Sequence, residues 1–194
     1  MKIIFAISFI LIFISCSSNQ MSSYDEVRKQ YGKYVFSHRI NNLKKSYHSL
    51  IRNDDFKKNG ITNTNFSLAI PILIDSKEYD LLITLLNKSK VLTEYHKFFY
   101  INLTKALKFR CKDSVKSNYY IDENSTLIKK YISLNQADSN LYIDYYINKL
   151  YISSLESVLT EIDSLRDKKF SDEFYQYTLK DAIKEYNNQI VRCK

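Results

Sequence analysis

Glycine and proline are almost missing from this chain: Gly32, Gly60 and Pro71 are the only three among 194 residues. Sheets with many tight corners need Gly, Asn-Gly or Pro at those corners. An all-β fold is therefore disfavoured, and helices joined by short polar turns are expected. The same scarcity excludes whole classes of chemistry. Two isolated glycines can write neither a P-loop, nor a Rossmann fingerprint, nor a G-x-S-x-G nucleophile elbow.

Residues 1–18, MKIIFAISFILIFISCSS, stand apart from the rest. Lys2 precedes an unbroken apolar run from Ile3 to Ile14, and Ser15-Cys16 follows. As a helix the run would extend about 18 Å, short of the ~30 Å hydrocarbon core of a bilayer. A cationic start followed by a short apolar stretch reads as a removable export signal. Its end, Phe13-Ile14-Ser15-Cys16, resembles the lipobox of bacterial lipoproteins, with Phe13 where that family usually has Leu. The resemblance implies cleavage before Cys16, two acyl chains through its sulfur and a third on its new amine. An ordinary signal with an incidental cysteine is the alternative. The expected division is a signal peptide at 1–15, a polar tether at 16–22 and a helical domain at 23–194. By analogy, Ser15 before the cysteine and a small helical domain suit the outer membrane, facing the periplasm.

Loss of Lys2 with the signal lowers the formal charge from +8 to +7. Taken over the whole chain the charges read as interleaved, which suits a solvated surface better than a nucleic-acid site. Anionic lipid headgroups or an acidic partner stay open.

Apolar periodicity sets the expected helices. Ser23-x-x-Glu26 reads as a capping box. Val27, Tyr31, Tyr34, Phe36, Ile40, Leu43, Tyr47 and Leu50 then predict one long helix over 24–52, in a segment bounded at 23–53. Residues 53–64 read as a loop. Phe66 to Ile74, FSLAIPILI, suits a buried strand or helix by composition. Pro71 decides for a short or kinked helix, since it removes a ladder donor. Asp75-x-x-Glu78 is expected to cap a helix carrying Tyr79, Leu82, Ile83 and Leu86. Another is expected from Thr93 to Phe109, and a further one is capped by Asp113. Ile121 to Ser125 is a candidate interruption of that helix before Leu127, Ile128, Tyr131 and Ile132. Asp138 and Ser171 read as caps of later helices, over 141–152 and from 171 to about 191, with 155–166 between them.

Paired helices with short turns resemble tetratricopeptide-type repeats across residues 65–190. The resemblance rests on Phe66, Ala69, Ile70, Leu73, Leu82 and Leu86, and again on Val158, Ile162 and Leu165. Val115 and Tyr119 fit less well, and Leu103 and Ile70 stand where the family has small residues. It implies an all-α solenoid of antiparallel helical hairpins, with a non-repeating helical bundle as the alternative.

No catalytic residue, metal site or cofactor is expected. His38, His48 and His96 show no metal-ligand spacing, and Asp54-Asp55 and Asp122-Glu123 sit where caps and loops ordinarily place acids. The 17 tyrosines are the surplus. Tyr95, Tyr142, Tyr145 and Tyr175 are the candidate ligand-binding residues, because in the resembled family those helices line the concave groove. Tyrosines packing the core are the other reading. Cys111 and Cys193 are expected to be free thiols, since stacked repeats would hold them roughly 20 Å apart and a disulfide needs Cα atoms within about 7 Å. The expected function is a non-enzymatic, membrane-anchored scaffold for a protein or peptide partner. A periplasmic inhibitor or immunity protein is the alternative, and a helical enzyme acting on envelope polymers a third reading.

Overall fold

A computed structural model describes residues 23–134, 139–164 and 173–189. All regular structure among them is α-helical, as expected. The helices are α1 (Asp25–Ser37), α2 (Ile40–Arg52), α3 (Asp54–Asn59), α4 (Phe66–Asp75) and α5 (Tyr79–Lys88). They continue as α6 (Glu94–Phe109), α7 (Ser114–Leu134), α8 (Ser139–Lys149), α9 (Leu155–Ser164) and α10 (Glu173–Gln189). The described residues form two compact units, 23–120 and 121–189.

The long helix expected within 23–53 is two helices. His38 adopts the left-handed conformation at φ 53°, its N–H bonds to the Tyr34 carbonyl at 2.7 Å, and the chain reverses. Phase explains the break. At 100° per residue, Leu43 would lie about 160° round a continuous helix from Val27, so the two apolar sets would face opposite ways. Folding at His38-Arg39 turns both inward, and Val27, Tyr31, Leu43 and Leu50 are all buried. Ser37 secures the turn: its Oγ accepts from the Arg39 N–H at 3.3 Å and from Asn42 Nδ2 at 3.2 Å.

The capping residues also differ from expectation. Tyr24, not Ser23, precedes α1, and no side chain caps that end. Within the expected loop, Asn53 caps α3 by accepting from the Phe56 N–H at 3.0 Å, while its Nδ2 donates to the Ser23 carbonyl at 2.6 Å. Asp75 caps nothing, and Glu78 at the start of α5 makes no side-chain cap. Thr93 does cap α6, accepting from the His96 N–H at 3.2 Å, and α6 ends at Phe109 as the periodicity predicts. Asp113 caps α7 through the Lys116 N–H at 3.0 Å. No interruption occurs at 121–125. Asp138, Leu165 and Ser171 lie outside the described residues.

In the first unit α1 packs on α2, α2 on α3 and α4, α4 on α5, and α5 on α6. Helix α4 is apolar almost all round, buries Leu68, Ala69, Ile70, Ile72 and Leu73, and carries Pro71 inside it. In the second unit α10 packs on both α8 and α9. Tyr146, Val158, Ile162, Leu179 and Ile183 meet in its core. Fully buried Asn148 ties α8 to α7, donating from Nδ2 to the Ile121 carbonyl and to Ser125 Oγ, both at 2.8 Å.

Candidate functional site

The α1–α2 hairpin has an unusual outer face. From Val27 to Asn53 there is no Asp or Glu, while Arg28, Lys29, Lys33, Arg39, Lys44, Lys45 and Arg52 supply seven positive charges. Lys33, Arg39, Lys44 and Lys45 are exposed, and no ion pair to them is formed among the described residues. At the turn, three apolar side chains face solvent: Phe36 is 71% exposed, Ile40 57% and Val35 45%. Helical spacing aligns Lys29, Lys33 and Phe36 along α1 and Ile40, Lys44 and His48 along α2. The hairpin is thus a basic shaft with an apolar tip. Its groove holds a cavity of about 300 Å³ lined by Glu26, Gln30, Lys45, His48, Ser49 and Arg52. The unbroken absence of acids was legible in the sequence; reading charge over the whole chain concealed it.

The inner face of this unit is held by tyrosine–carboxylate contacts. Tyr24 donates to Asp55 Oδ2 at 2.7 Å and accepts from Asn65 Nδ2 at 2.8 Å. Burial, reinforced by Asp55, pushes the Tyr24 hydroxyl up to about 12. Tyr31 donates to Asp75 Oδ2 at 2.8 Å. Burial holds the Asp75 carboxyl above the usual carboxylate range, although the Tyr31 hydrogen bond and His38 pull the other way. Burial and the Asp75 charge raise Tyr34 and Tyr79 as well. These contacts fix α1 against the ends of α3 and α4, a structural task for residues the sequence suggested as caps.

A second exposed surface lies on α6 and the start of α7. Phe109 and Tyr120 stack with centroids 6.1 Å apart, with Lys105 Nζ 5.1 Å from the Tyr120 ring and Lys116 Nζ 5.3 Å from the Phe109 ring. Beside them Val115 is 79% exposed and Tyr119 56%.

The candidate binding tyrosines are dispersed. Tyr95 is buried in the first unit, stacked on Phe99 at 6.1 Å. Tyr142 is buried in the core of the second. Tyr145 is half-buried, packed edge-on against Tyr146 at 5.1 Å, with Lys129 and Lys149 Nζ 5.8 and 5.9 Å from its ring. Lys149 also pairs with Glu161. The Tyr175 side chain, Cys16 and Cys193 lie outside the described residues.

Cys111 corrects an expectation: it is disulfide-bonded, not a free thiol, and its partner is not among the described residues. The expectation of free thiols presupposed evenly stacked repeats. Among the described residues no cluster of His, Cys, Asp and Glu could hold a metal ion, and no helix is long and apolar enough to cross a membrane. The chain matches no protein-family model, no curated protein and no solved structure.

Proposed function

We propose that the chain is a bacterial lipoprotein, cut before Cys16 and held by acyl chains at the outer membrane. There its helical domain serves as a non-enzymatic scaffold that binds a protein or peptide partner in the periplasm. The anchor is supported by the order Lys2, apolar run, Phe13-Ile14-Ser15-Cys16. The observation that carries the binding role is the pre-ordered aromatic and cationic surface of Phe109, Tyr120, Lys105 and Lys116 beside exposed Val115 and Tyr119. Rigid aromatic area with a polar tip is favoured where proteins meet. Tetratricopeptide-like hairpins over 65–190 suit such a scaffold, and burial of Ala69, Ile70, Leu73, Leu82 and Leu86, and of Val158 and Ile162, supports the pattern.

The test places a photo-crosslinking side chain at position 115 or 119 in cells, with position 94 as control. A discrete adduct of one mass at 115 and 119, absent at 94, is expected. Tyr119→Glu, combined with the crosslinker at 115, should remove it. No adduct, or the same adducts at all three positions, would overturn the scaffold reading. The anchor is tested separately: Cys16→Ser should abolish palmitate labelling, and unchanged labelling would contradict it.

A further inference from the structure

The α1–α2 tip presents apolar side chains in a stretch, Val27 to Asn53, whose Lys and Arg side chains have no Asp or Glu among them. Phe36 and Ile40 are the most exposed of its apolar residues, and Lys33 and Lys44 stand one turn behind them on the same faces. Three such side chains offer on the order of 300 Å² of apolar surface, well below the ~800 Å² per partner of a stable protein interface. A second copy would also bring its own unbalanced positive charges against these. A convex apolar tip ringed by cations instead complements an anionic lipid surface, where apolar groups enter the headgroup boundary and lysines meet phosphates.

Chain length is consistent with this. Cys16 lies nine residues before Asp25, a reach of at most about 30 Å, and α1 is about 20 Å long. A lipid on Cys16 therefore keeps the hairpin within range of the bilayer that holds it.

We propose that the α1–α2 tip docks onto anionic phospholipid headgroups, with Phe36 and Ile40 entering the interface and Lys33, Arg39 and Lys44 contacting phosphates. The reach argument rests on the lipoprotein reading; the charge and apolar pattern does not. Docking would orient the domain on its membrane and leave the α6–α7 surface for a partner.

The chain has no tryptophan, so Phe36→Trp installs a single fluorescent reporter at the tip. The protein to use is the unacylated chain from Cys16 to Lys194. It keeps all three cysteines and every described residue, and its vesicle binding does not depend on acylation. On vesicles containing phosphatidylglycerol the tryptophan emission should shift to the blue and be quenched by brominated acyl chains. Phe36→Ser with Ile40→Ser should weaken vesicle binding about tenfold, as should replacing phosphatidylglycerol by phosphatidylcholine. The proposal is overturned by an unshifted emission, by equal binding to both lipids, or by a concentration-dependent dimer that the double serine variant dissolves. Failure of the anchor reading would show in palmitate labelling and leave these results unchanged.

Discussion

Residues 25–52 and residues 114–134 are both long helical stretches, yet the first folds into a hairpin and the second continues as one helix. In α7 the buried positions are Ser117, Ile121, Asn124 and Ile128, steps of four, three and four that hold one face throughout. Ser117 and Asn124 are polar, and the polar run Asp122 to Ser125 is why 121–125 reads as an interruption. In α1–α2 every position on the apparent stripe is apolar, but Tyr34 to Phe36 is a step of two. That step throws the second set of apolar residues to the far side, and the chain turns to recover it. Continuity of phase decides between one helix and two; apolar content does not. Because the turn falls among apolar residues, Phe36 and Ile40 end up outside, in a stretch with no Asp or Glu of its own beside its lysines.

The largest test of this contrast is in the cores. Leu50 in the hairpin and Ile128 in α7 are both fully buried. Leu50→Ala and Ile128→Ala should each lower unfolding stability by about 2–5 kcal/mol in urea titrations. Phe36→Ala and Tyr119→Ala should stay within about 0.5 kcal/mol of the parent. A small loss at Leu50 would mean that the hairpin does not share the core.

A smaller effect is expected at the turn. His38 holds a left-handed backbone that glycine adopts freely, so His38→Gly should stabilise the protein by about 0.5–1 kcal/mol, partly offset by loss of its edge contact with Tyr34. A lower urea midpoint would show that the imidazole, rather than the backbone, maintains the hairpin.

The smallest effect is in pH dependence. Burial raises the folded pKa of Asp75 above the usual carboxylate range. Its contribution is therefore fully present below pH ~4 and is lost as pH rises through the folded value. Asp75→Asn removes that titration while keeping an acceptor for Tyr31. The stability of the parent relative to the variant should fall as pH rises from about 4 into the range just above. A difference that grows with pH would contradict the raised value.

Much of the fold is legible in the sequence where phase and cap agree. Thr93 and the apolar steps after it bound α6 at both ends, and Pro71 turns FSLAIPILI away from a strand. Legibility fails where a side chain serves a distant partner. Asp75 resembles a cap because it precedes a helix, but Tyr31, 44 residues earlier, takes its carboxylate. Tyrosine enrichment marks no single site, because Tyr95 and Tyr142 are packed in separate cores. The basic tip is hidden for a different reason: +7 spread over a chain looks mild, and the same charge confined to 27 residues does not.

The central claim, that the placement of charge on the hairpin and not net charge draws this protein to anionic lipid, has a direct measurement. Lys33→Glu with Lys44→Glu reverses two cations at the tip. Lys88→Glu with Lys130→Glu makes the same change in net charge at exposed positions elsewhere. Cosedimentation of the unacylated chain with phosphatidylglycerol vesicles should fall about tenfold or more for the first pair and less than twofold for the second. Equal losses for the two pairs would contradict the account, since net charge alone would then explain the binding.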